Sequence, residues 1–209
     1  PNMPGIDHKK VVTYQELLGK GLNLGGKVAV MGAGGIGFDV SEYLTHQGES
    51  LTLNKEAWFK EWGVDIENTT SGGLQPKDIE PSPRKVYMLQ RKTTSLGRGL
   101  NKTSGWVHRA AVKMKQVEMI AGVGYDKIDD DGLHITISNK KGDVVEQRVL
   151  DIDHIVLCTG QVSVNELYKS LQGNHDHNFG LHLVGGAEFA GELDAKRAIK
   201  LASELAASL

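Results

Sequence analysis

Six consecutive residues, Gly32-Ala33-Gly34-Gly35-Ile36-Gly37, are the ones best placed to do chemistry. They follow the short apolar run KVAVM and lead into FDVSEYLTH, whose Phe38, Val40, Tyr43 and Leu44 recur at helical spacing. Strand, glycine turn and helix together make a site for the pyrophosphate of a dinucleotide. Gly32 permits the tight turn, Gly34 lets a phosphate approach the backbone, and Gly37 lets the helix pack close to the strand. Gly35 and Ile36 then begin a helix whose free amides and positive dipole end face the phosphates. A turn kept for packing alone would be spelled the same way, so the reading needs support from other elements.

The second strand, KVYML, supplies some. It ends in Gln90-Arg91-Lys92. A site for NAD or FAD usually closes here with Asp or Glu, which binds the ribose hydroxyls. Two cations in that place suit a 2′-phosphate, which an arginine grips with its planar fork, and so point to NADPH. A solvated basic strand end is the alternative. The following loop, TTSLGRGLNKTSG, adds Arg98 and Lys102 and ends at Trp106. That indole at a helix start can stack on a cofactor ring or pack as core or lid.

The rest of the chain supplies the frame. Residues 1–25 begin irregular and then form a short helix from Thr13 to Gly19. Residues 47–84, rich in Gly and Pro and weakly periodic, read as an insertion holding one helix over 55–62. A helix is predicted over 106–115 and a third strand over 117–123. The turns Asp131-Gly132 and Lys141-Gly142-Asp143 separate further strands over 133–138 and 144–150, completing a meander. DHIVLCTG is a last apolar strand ending at Gly160, a strand is predicted over 181–186, and a helix over 192–209. Alternating strands and helices with a three-stranded meander predict an α/β, doubly wound parallel sheet of the Rossmann kind.

Composition agrees with a folded domain. Of 209 residues, 39% are hydrophobic and 24% charged, which excludes a disordered chain. The net charge of −2 gives no pull toward nucleic acid or an anionic membrane. No apolar run reaches the ~18 residues of a membrane span. The single cysteine, Cys158, sits in HIVLC and reads as an inert core residue; a reactive thiol is the alternative. A reducing, cytoplasmic setting is expected. The opening Pro1, with no initiator Met, leads us to expect a piece of a longer chain.

Several longer segments carry a family resemblance. GAGGIGFDVSEYL, GGLQP with SPR, MLQRK, GLNKTSGWVHR, YDKIDDDGLH and GGAEFAGELDAKRAI together resemble the C-terminal part of the bacterial 2,4-dienoyl-CoA reductases, trimethylamine-dehydrogenase-like flavoproteins. The similarity runs from about Pro4 to Ala202. It implies an NADPH domain over residues 24–165 of the thioredoxin and glutathione reductase type. Residues 1–23 would be the connection from an FAD domain, and residues 166–209 its C-terminal piece. In the parent, NADPH passes hydride to FAD, and electrons then travel through a 4Fe-4S cluster to FMN, which reduces the dienoyl thioester in unsaturated fatty-acid β-oxidation. By this resemblance, FMN and the cluster would belong to a barrel outside this chain. The expected partners are those FAD and barrel domains, with no nucleic acid or membrane, and the isolated chain is expected to be inactive.

Position by position, the resemblance implies NADP contacts at Arg91, Lys92 and Trp106. It implies FAD contacts, as a partial site, at Gly186, Leu193, Asp194 and Ala195. Gly160 closes the last strand at the cofactor. The run Gln161-Val162-Ser163-Val164-Asn165 departs from the family, which usually has proline before the asparagine. No catalytic or metal-binding residue is expected. His175-Asp176-His177 lacks a third ligand, Asp129-Asp130-Asp131 lacks the spacing of a calcium loop, and hydride transfer asks no acid or base of His108 or Arg109. A free-standing NADP(H)-binding sensor or docking module stays open as the alternative function.

Overall fold

The computed structural model describes residues 1–172, 179–191 and 195–209. It divides into two compact units, Pro1–Thr159 and Gly160–Leu209.

The first unit is built on a parallel sheet of five strands. In chain order they are β1 (Val11–Thr13), β2 (Lys27–Met31), β3 (Lys85–Gln90), β4 (Glu118–Ala121) and, after the meander, β8 (His154–Leu157). The spatial order is β1-β8-β2-β3-β4, so the chain winds outward from β2 to β4 and then returns to β2's other side. That reversal between β2 and β8 is a topological switch point. In open α/β sheets, ligands bind outside the carboxyl ends of the strands at such a point.

Alternation along the strands sorts the core into two layers. Val28, Val30, Val86, Met88 and Val156 face helices α1 (Tyr14–Lys20), α2 (Gly35–Thr45) and α4 (Gly105–Met114), where they meet Leu17, Phe38, Leu44 and Val112. Ala29, Met31, Tyr87, Leu89 and Ile155 face the other way, against the antiparallel sheet β5 (Val123–Asp129), β6 (Gly132–Ser138) and β7 (Val144–Leu150). Phe38 is fully buried, and such a side chain contributes ~1.5–3 kcal/mol by leaving water.

Three strands differ from the sequence reading. The irregular opening contains β1, which is too short to show a period and exists because it pairs with β8. The single strand expected over 117–123 is two. Gly122 breaks it with φ +73, and a Cβ there would collide with the Ser138 carbonyl oxygen, so the chain leaves the parallel sheet and starts the meander. The strand expected over 181–186 is absent: a strand needs a partner, and among the described residues none pairs with this segment. The insertion's helix is where the periodicity placed it, α3 (Lys55–Trp62).

Within the insertion, Asp65 organises the loop. Its carboxylate accepts from the backbone N–H of Glu67, Thr69 and Thr70 and from both threonine hydroxyls. These bonds, led by the Thr70 amide, hold its pKa down to about 2. Arg84 fixes the return to β3 by donating to Leu24 O, Leu44 O and Asn23 Oδ1.

The second unit holds α5 (Glu166–Gln172) and α6 (Ala195–Ser208). No helix among the described residues is long and apolar enough to cross a membrane.

Candidate functional site

The glycine turn sits at the carboxyl end of β2, and each glycine has a distinct geometric duty. Gly32 has φ +121, and a Cβ there would lie 2.6 Å from the Cys158 carbonyl oxygen at the end of β8. Only glycine lets the turn pass so close to the neighbouring strand. Gly37 lies in the first turn of α2, where a Cβ would run into the Gly32 carbonyl oxygen, so the helix packs directly on the turn. Gly34 and Gly35 are the opposite case. A Cβ on either meets nothing within 4 Å, which leaves open space over the helix start.

That helix start is also chemically free. Gly34 is the N-cap of α2, no side chain among the described residues caps it, and the first turn carries no acid. Unpaired N–H groups and the positive end of an 11-residue helix therefore face the open space. Such a helix start suits an anionic group.

Beside it, β3 pairs with β2 in register, with Met31 opposite Leu89. Arg91 and Lys92 thus emerge next to the turn, at the same carboxyl edge of the sheet. Both are exposed, and neither joins an ion pair among the described residues. Gln90 stands where an acid would bind ribose hydroxyls. Its amide instead donates to Lys92 O at 2.9 Å and Thr94 O at 2.8 Å, tying down the loop that carries the two cations. The Tyr125 hydroxyl is buried without a hydrogen-bond partner among the described residues. Burial pushes its pKa up, with the nearby Arg91 charge opposing.

Trp106 lies in the first turn of α4 with its side chain largely exposed, and its ring meets Trp62 edge-on. His108 and Arg109 have structural partners. The His108 ring bonds Glu42 at 2.7 Å, and Arg109 donates to Gly97 O at 2.9 Å. Burial raises the Glu42 pKa, and the His108 bond works against it. Cys158 is held as a thiol, since burial pushes its pKa up to about 12.

The structure therefore brings together Gly32, Gly34, Gly35, Ile36, Gly37, Arg91 and Lys92 at the strands' carboxyl edge, with Trp106 at a helix start that follows from it. Gly160, Gly186 and Ala195 lie in the second unit: Gly160 has φ +76, Gly186 is in the turn over 185–188, and Ala195 opens α6. Leu193, Asp194 and the run His175-Asp176-His177 lie outside the described residues. Asp129, Asp131 and His134 approach within 4.8 Å, but the Asp129 carboxylate is already bound by Lys127 and His134.

Sequence reasoning missed three features. Thr159 Oγ1, beside Gly32, is buried at the switch point without a hydrogen-bond partner among the described residues. Gln90 tethers the basic loop. The aromatic run Trp58, Phe59 and Trp62 of the insertion reaches Trp106; its helical spacing was the available signal. A cavity of about 920 Å³ also opens between the end of α2, α3 and α4, lined by Tyr43, Leu44, Trp58, Trp62, Val107 and Met114 among others. None of the glycine-turn residues, Arg91 or Lys92 lines it, and it lies away from the edge where such sheets take nucleotides.

Comparison with known proteins agrees with this fold. The profile of the pyridine nucleotide-disulphide oxidoreductase family matches residues 1–182. A metal reductase of Desulforamulus reducens is 24% identical over 187 residues, covering 90% of this chain and 26% of the relative. A 2-naphthoyl-CoA reductase, solved with 2-naphthoyl-CoA, superposes with a TM-score of 0.64 at 19% identity, over 96% of this chain and 24% of that one. The 6-hydroxypseudooxynicotine amine oxidase of Pseudomonas geniculata also gives 0.64, at 18% identity over 91% and 23%. The chain spans about a quarter of the length of each of these proteins.

Proposed function

The chain belongs to the pyridine nucleotide-disulphide oxidoreductase family, and from that premise we propose that it is the NADPH-binding part of a larger flavoenzyme, a reductase of 2,4-dienoyl-CoA thioesters. One observation carries the NADPH part of this reading, an uncapped helix start under open space at Gly34 and Gly35, flanked by two exposed cations where an acid would select NAD; the thioester part rests on resemblance.

Family membership implies NAD(P) and FAD, and the residues present fit the first. The amides of Gly35 and Ile36 would hold the pyrophosphate, Arg91 and Lys92 the 2′-phosphate, and Trp106 a ring of the cofactor. Thr159 Oγ1, orphaned beside Gly32, is a further donor for it. When bound, the nicotinamide supplies a hydride. The protein's task is to hold that ring still and keep its hydride-bearing face toward an acceptor, at ~3–3.5 Å between reacting atoms. For FAD, Gly186, Leu193, Asp194 and Ala195 would give a partial site, completed by a domain outside this chain. FMN, the 4Fe-4S cluster and the dienoyl substrate are assigned to the remaining polypeptide on resemblance. The similarity to a reductase of another unsaturated acyl-CoA supports the thioester class.

The test is anaerobic stopped-flow on the whole polypeptide. NADPH should bleach the flavin faster than NADH does, and a 2,4-dienoyl-CoA should reoxidise it. Reoxidation by a disulphide but by no enoyl or dienoyl thioester would overturn the substrate assignment.

A further inference from the structure

The contacts that the proposed function leaves unused gather on α3. Trp62 meets Trp106 edge-on, with ring centroids 6.4 Å apart and planes at 86°. Trp106 nevertheless stays 56% exposed, so much of its surface is open, and Trp62 is its one aromatic contact among the described residues. Trp62 is itself braced. It stacks on Trp58 at 5.6 Å and 24°, and the Lys77 ammonium lies 5.7 Å from its ring centre.

The helix that carries Trp62 is fastened at both ends. Asn54 Oδ1 caps its start by accepting from the Ala57 N–H. Gly63 ends it with φ +70, where a Cβ would lie 2.5 Å from Gln75 O. Across to the residue after α4, Glu61 pairs with Lys115 at 2.5 Å, with side chains only 9% and 11% exposed. Lys115 also donates to Glu80 O at 2.9 Å. A buried pair of this kind fixes register more than it adds stability. Here it ties the last turn of α3 to the end of α4, the helix whose first turn carries Trp106.

We infer that Trp62 is a positioning residue for the cofactor: the insertion acts as a strut that holds the Trp106 indole in one orientation before the cofactor arrives. The inference rests on the reading of Trp106 as a cofactor contact. A half-exposed tryptophan with no neighbour samples several rotamers, and a ligand must then select one. An edge-on partner on an anchored helix removes that freedom in advance, which is worth about two- to tenfold in affinity for one side chain.

Two measurements on the chain decide it. The first is calorimetric titration with NADPH of W106A, W62A, W62F and W62A/W106A. W106A should weaken binding, W62A should weaken it about two- to tenfold, W62F should stay near the parent, and the double variant should be no worse than W106A. If W106A binds like the parent, the reading of Trp106 fails and the inference with it. If W106A weakens binding but W62A does not, or if W62A acts equally in the W106A background, the inference alone fails. The second measurement needs no cofactor. The chain has three tryptophans, so in W58F/W62F and W58F/W62L proteins Trp106 is the sole tryptophan, and excitation at the red edge of its absorption leaves the tyrosines dark. Its fluorescence anisotropy should be higher in the first, which keeps an aromatic edge, and equal values would overturn the strut.

Discussion

Replacing Gly34 with aspartate should leave the fold intact and remove dinucleotide binding. The backbone at Gly34 is extended, φ −83 and ψ −172, a conformation any residue adopts, and a Cβ there meets no atom within 4 Å. Aspartate is a preferred N-cap, better than glycine by a few tenths of a kcal/mol, so thermal stability should hold or rise slightly. Binding is the opposite case. The new carboxylate would stand in the space where the pyrophosphate lies. Two like charges ~4 Å apart repel by ~4 kcal/mol at an effective dielectric of ~20, about three powers of ten in affinity. Gly34→Asn is the control, since it caps equally well and fills similar volume without charge. It should lose less. Calorimetry with NADPH and thermal melting of the three proteins read both effects. An aspartate variant that melts normally and binds NADPH as the parent does would refute the placement of the pyrophosphate over α2.

Gly37→Ala should show the converse, a loss of ~1–3 kcal/mol in denaturant unfolding, because its Cβ meets the Gly32 carbonyl and the helix must shift. Arg91→Ala should cost ~1.5–3 kcal/mol toward NADPH and leave NADH affinity unchanged, read by paired titrations. Cys158 should resist a disulphide reagent at pH 8 until the chain is unfolded, because burial raises its pKa to about 12 and the thiolate is the reactive form. Asp65 has a folded pKa of about 2, below its ordinary value, so its contribution is present above ~pH 4 and is lost as pH falls through about 2. Amide exchange at Thr69 and Thr70 should quicken across that window.

Much of this was legible because local chemistry forces it. The glycine turn reads directly from spacing, since each glycine answers a contact that a side chain would block or a space that one would fill. The basic end of β3 reads from what is missing, an acid. What stayed hidden depends on partners remote in sequence. β1 is three residues long, and only its pairing with β8, over 140 residues away, makes it a strand. The split at Gly122 is set by the Ser138 carbonyl, which no local window contains. The segment 181–186 has a strand's apolar spelling without a described partner. Trp62 and Trp106 meet because their long side chains reach across from α3 and α4, a fact of tertiary structure rather than pattern.

The central claim is that this chain holds NADPH at the turn between β2 and α2 and selects it by its 2′-phosphate. The most direct measurement is calorimetric titration of the unmodified chain with NADPH, NADH and 2′,5′-ADP, the last carrying the 2′-phosphate without nicotinamide. The account predicts that NADPH binds at least tenfold more tightly than NADH, as expected for one charge-assisted phosphate contact, and that 2′,5′-ADP competes with it. Equal affinities for NADPH and NADH, with no competition from 2′,5′-ADP, would contradict it.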